Sequence, residues 1–143
     1  MVVHFPLVLL IVAAAMQIGL MFFQGKLVVQ FYTIVVLTVV GFIAGVLATT
    51  FFHAHPAHDV NAKAMEIFKE HKEFAYITIW LSGIAAVFKL LGLFVKRKWV
   101  EIIALLFLLG SAVTVSIAGH HGAELVFKHG IGPEDKKLEH GDN

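Results

Sequence analysis

"LVVQFYTIVVLTVVGFIAGVLATTFF", Leu27–Phe52, runs for 26 residues without a charged side chain. Coiled as a helix at about 1.5 Å per residue, such a stretch more than crosses the roughly 30 Å of hydrocarbon in a bilayer. Three further apolar runs surround it: His4–Gln24 before it, and Phe74–Val95 and Trp99–Ala118 after it. Of the 143 residues, 59% are hydrophobic and 15% charged, which lies outside the range of a soluble globular domain. The expected fold class is therefore all-α, an integral membrane four-helix bundle over residues 1–132 with a polar tail over 133–143. Four spans use up most of the chain, so any chemistry must sit inside the bundle or at its ends.

Composition also excludes. There is no cysteine, so disulfides, iron–sulfur clusters and the C-x-x-C-H attachment of a c-type haem are all ruled out. A net charge of +1 gives no electrostatic footprint for a nucleic acid. The opening "MVVHFPLVLLIVAAAMQ" lacks a basic n-region and is as long as a span. It is read as the first span rather than as a signal peptide, although Ala13–Ala15 imitates a cleavage site.

The connections set the topology. "QGK" (Gln24–Lys26) and "KRK" (Lys96–Lys98) are tight turns, so spans one and two, and spans three and four, are antiparallel neighbours in an up-down-up-down bundle. The middle connection, His53–Glu73, is longer. It turns at Pro56, and Asp59 or Asn61 caps a short amphipathic helix that continues into span three. Gly41 and Gly45 in span two, and Ala112 and Ser116 in span four, form rows of small residues four apart, suited to close helix contact. Lys89, two turns from the end of span three, is expected to snorkel toward the basic end.

Nine histidines are present: His4, His53, His55, His58, His71, His120, His121, His129 and His140. In this topology all fall at one membrane face, whereas the short turns hold none. His4 opens span one, His53 closes span two, His71 leads into span three and His120 closes span four. Each span thus brings one imidazole to a common level, the supply that a bis-histidine haem requires. Neighbouring helices stand about 8–10 Å apart, so the diagonals of a square bundle reach roughly the width of a His–iron–His sandwich. The candidate pairs are His4 with His71 and His53 with His120. Gly41, Gly45, Thr49 and His53 share one helix face, as do Ala112, Ser116 and His120, and small side chains beside a ligand leave room for a flat macrocycle. One haem b fits such a bundle more readily than two.

A second chemistry competes. "HAHPAHD" offers His53, His55, His58 and Asp59 as nitrogen and oxygen ligands for zinc or copper, with His120 and His121 nearby.

"HFP" (His4–Pro6) and "GHHGAELVFKHGIG" (Gly119–Gly132) resemble the two ends of a bacterial four-helix membrane family known as domain of unknown function 2231. Its pattern runs HFP-x-A-L-L at the start and G-G-x-L-V-x-x-H-G-x-G at the end. The resemblance covers nearly the whole chain. Ala123 stands where the family's second glycine is usual. Members occur alone or joined to c-type cytochrome modules, so the resemblance implies a membrane redox role, with His4, His71, His120 and His129 as the positions carried over. It makes His129 either a rival axial ligand or a partner for a haem propionate.

The expected function is a b-type cytochrome subunit, an electron carrier rather than a stand-alone enzyme, with a haem-free scaffold subunit or a zinc/copper-binding protein as alternatives. Its expected partners are the lipid bilayer, a quinol, and a c-type cytochrome or larger respiratory or photosynthetic complex. Glu124, Glu73 and Asp59 are expected to accept quinol protons. The KRK cluster places the short turns in the cytoplasm of a bacterial inner membrane and the histidines outside.

Overall fold

The computed structural model describes residues 4–22, 28–51 and 62–129. They form four helices: α1 (His4–Phe22), α2 (Val28–Phe51), α3 (Ala62–Phe94) and α4 (Lys98–His129). Among the described residues there is no strand. All four helices are long and apolar enough to cross a membrane, so the chain is an all-α bundle compatible with a multi-pass membrane protein. Large apolar side chains cover its outside, among them Phe22, Val29, Trp80, Phe94 and Leu106, and an apolar exterior is what lipid contact requires.

Each helix packs on the next in chain order, and α4 closes the ring against α1. Consequently α1 faces α3, and α2 faces α4, across the diagonals. The centre holds Leu10, Ala13 and Ala14 of α1, Ile34 of α2, Ala85 of α3 and Leu108 of α4. Small residues set the spacing. A Cβ on Gly41 would meet Leu10 Cδ2 at 3.0 Å, and one on Gly83 would meet Phe42 Cε2 at 3.0 Å. The first contact bears out the close-packing reading of the Gly41 row.

The amphipathic lead-in runs unbroken into span three as expected, making α3 one helix of 33 residues. At α4 the helix does not stop at Ala118 but continues to His129. Nothing in "GHHGAELVFKH" breaks it: Gly119 and Gly122 lie within it and no proline intervenes. Both helices therefore project past the apolar section at the histidine end, with Ala64, Ile67 and Leu125 buried along this extension.

At the opposite end, Val95–Arg97 connects α3 to α4. The Val95 amide donates to the Leu91 carbonyl at 2.8 Å and the Val100 amide to the Arg97 carbonyl at 3.1 Å, closing one helix and opening the next. Glu101 lies in the first turn of α4, where its negative charge complements the helix dipole.

Candidate functional site

At the histidine end the best-defined imidazole is His71. Its Nδ1 lies 2.7 Å from the Ala118 carbonyl of α4. In a helix the residue four positions on usually screens a carbonyl with its side chain; for Ala118 that residue is Gly122. A Cβ there would come within 3.1 Å of His71 Cε1 and 3.3 Å of Nδ1, so the bare glycine is what admits the ring. Because a carbonyl only accepts, Nδ1 must be the protonated nitrogen, and in the neutral ring the lone pair is left on Nε2.

Beside it on α4 lies His121, whose side chain is 19% exposed. Its Nε2 is 3.7 Å from Glu70 Oε2, its ring is 5.8 Å from that of Phe74, and its Nδ1 is buried without a hydrogen-bond partner. A buried ring nitrogen left unsatisfied costs stability and marks a position worth explaining.

His120 is different. It is exposed, with its ring 6.0 Å from that of His121. The expected inward column Ala112, Ser116, His120 is corrected accordingly: Ser116 is also exposed, its hydroxyl turned back to the Ala112 carbonyl at 2.7 Å. The face that α4 turns inward repeats every seven residues, as Ala104, Ser111, Ala118 and Leu125, all buried. One position of phase separates the two readings, so the interior histidine of the pair is His121. His4 is the first residue of α1 and His129 the last of α4, which puts both at this end. His53, His55, His58, Asp59 and His140 lie outside the described residues. Among the described residues, no three ligand-type side chains gather closely enough to hold a metal ion by themselves.

The other end carries a site that the sequence did not reveal. Lys89 does not snorkel. Its side chain is 0% exposed, and its Nζ donates to Glu101 Oε2 at 2.6 Å and to Gln17 Oε1 at 2.7 Å. The ammonium also sits 4.6 Å from the centroid of the Phe31 ring, within cation–π range. Gln17, itself fully buried, closes the triangle by donating Nε2 to Glu101 Oε2 at 3.0 Å. Each helix thus contributes one residue: Gln17 from α1, Phe31 from α2, Lys89 from α3 and Glu101 from α4. Three partners around the ammonium offset part of the desolvation cost that would otherwise drive it to the interface. The signal available in the sequence was a lysine, a glutamine and a glutamate, each near the same end of an otherwise apolar span.

Comparison with known proteins yields no relative for this chain: no family model matches it, and neither a curated protein nor a solved structure does.

Proposed function

We propose that this chain is a membrane electron-transfer subunit whose histidine end would hold one b-type haem, with His71 as a residue that would ligate it. The observation carrying this reading is the Nδ1 contact to the Ala118 carbonyl at 2.7 Å. Metal-bound imidazoles characteristically give their second nitrogen to a carbonyl or carboxylate, which fixes ring orientation and tautomer and raises ligand basicity. His71 has that arrangement, and Gly122 makes room for it.

A second histidine to hold the group would come from His4, at the head of the helix diagonal to α3, or from His121, whose buried Nδ1 has no partner. His120, exposed on α4, is less suited, which weakens the pair it would form with His53. His129, the last residue of α4, remains a candidate for a haem propionate. Since a haem takes as few as one or two imidazoles, this reading does not require the three-ligand cluster that a zinc or copper centre would need. When bound, the haem would supply a one-electron carrier. The protein's own contribution is to hold His71 rigidly and to surround it with packed helices.

Quinol on the lipid side and a c-type cytochrome or larger redox complex are the partners that fit such a carrier. Lys26 and the basic Lys96–Lys98 cluster orient the short turns toward the cytoplasm of a bacterial inner membrane, leaving the histidine end outside. The test is the absorption spectrum of the purified protein, oxidised and then reduced. A Soret band with a sharp α-band on reduction is expected; a protein purified from haem-replete cells with neither band would overturn the reading in favour of a haem-free scaffold.

A further inference from the structure

The geometry points to a proton-exchange site formed by Lys89 and Glu101 at the short-turn end, with Glu101 as the port to the aqueous face. This inference does not rest on the haem reading, because the site lies at the opposite end of the bundle.

Three observations carry it. First, among the described residues the side chains hydrogen-bonded together in this site are Lys89, Gln17 and Glu101, and of the two that Lys89 donates to, the carboxylate 2.6 Å away is the one that can take its proton. Gln17 and Phe31 complete the surroundings from α1 and α2 and do not titrate. Second, burial is graded along the pair: the Lys89 side chain is 0% exposed while that of Glu101 is 25% exposed. Third, the carboxylate is split between two environments. Oε2 takes both inward hydrogen bonds, whereas Oε1 rests against Gly92, where an added Cβ would come within 2.5 Å of it. Glu101 is therefore one residue with one oxygen on the buried cation and a part of its surface outside, in the first turn of α4 next to the exposed Lys96, Arg97 and Lys98. Among the described residues, those three are the exposed cations at this end of the bundle.

The step is balanced. The Nζ–H bond of Lys89 breaks as an O–H bond forms on Glu101 Oε2, converting the ion pair into an amine and a carboxyl group of unchanged total charge. The carboxyl then gives its proton to water at the short-turn face and takes one back, and the reverse transfer restores the ammonium. No oxidant, reductant or metal enters. Through the neutral pair Lys89 is never left charged without its partner; while the proton is on water the unpaired charge sits on Glu101, whose side chain is 25% exposed, and not on the fully buried Lys89.

The experiment is hydrogen–deuterium exchange at the Lys89 side chain, followed by NMR of the full-length, ¹⁵N-lysine-labelled protein in lipid nanodiscs. The Lys89 resonance is identified by its loss in Lys89→Met. Exchange in the wild type is expected to be measurable, and Glu101→Gln is expected to slow it about tenfold or more, the effect of about 1.4 kcal/mol of added barrier. Simple loosening of the packing would act in the opposite direction and speed exchange. Should Glu101→Gln not fold, Gly92→Ala decides, since it displaces the carboxylate while keeping every charge; it too is expected to slow exchange. Faster or unchanged exchange in the deciding variant, or no exchange at all in the wild type, overturns the proposal.

Discussion

The imidazole of His71 lies over the bare Cα of Gly122, and that contact is what lets its Nδ1 reach the Ala118 carbonyl one helical turn earlier on α4. Gly122→Ala would place a methyl group 3.1 Å from His71 Cε1 and push the ring off the carbonyl. Losing one such hydrogen bond costs about 1 kcal/mol, read as a lowered unfolding midpoint in detergent. A variant with unchanged stability and unchanged haem content would show that the ring does not depend on this glycine.

Lys89 and Glu101 should show strong coupling. Lys89→Met leaves the Glu101 carboxylate with Gln17 as its remaining inward partner, and breaking a buried pair from one side costs about 3–5 kcal/mol. Removing both charges in Lys89→Met/Glu101→Leu should cost less than the single change, because no unpaired ion remains. Additive losses in denaturant titrations of the single and double variants would contradict the pairing.

Glycines at two positions are expected to respond with opposite sign. At Gly41 a new Cβ meets the fully buried Leu10 at 3.0 and 3.1 Å, so Gly41→Ala should destabilise by about 1–3 kcal/mol through overpacking. At Gly19 nothing lies within 4 Å. Gly19→Ala should then be neutral or stabilising by up to about 1 kcal/mol from helix propensity. Equal effects at the two positions would mean that α1 and α2 do not meet at Leu10.

A hydroxyl bridge joins α3 to α4 in the bundle interior, Thr78 Oγ1 donating to Thr114 Oγ1 at 2.8 Å. Such hydrogen bonds between membrane helices average about 0.6 kcal/mol. Thr78→Val should accordingly cause a small loss of stability, and a Thr78→Val/Thr114→Val cycle should return a coupling of that size.

How far the sequence was readable depended on whether the information was local. Apolar runs of span length mark all four helices and place their ends at the short turns within a few residues of those observed, because hydrocarbon thickness is a one-dimensional constraint. The end of α4 was harder: outside the hydrocarbon, hydropathy stops marking a helix that continues, as it does from Ala118 to His129. Phase was the second difficulty. Rows four apart drift around a helix, so Ser116 and His120 face outward while the seven-residue row through Ala118 faces inward, and two adjacent histidines exchange roles. The Lys89 site was the least visible, since Gln17 and Lys89 are 72 positions apart and Gln17 and Glu101 are 84 apart. Only the closed ring of helices brings them together. His53, His55 and His58, prominent in the sequence, fall outside the described residues.

Haem content per chain, measured side by side in wild type, His71→Ala and His120→Ala purified from haem-replete cells, tests the ligand assignment most directly. Near-complete loss in His71→Ala with retention in His120→Ala is the predicted result. Full haem occupancy and an unaltered reduced spectrum in His71→Ala would contradict it.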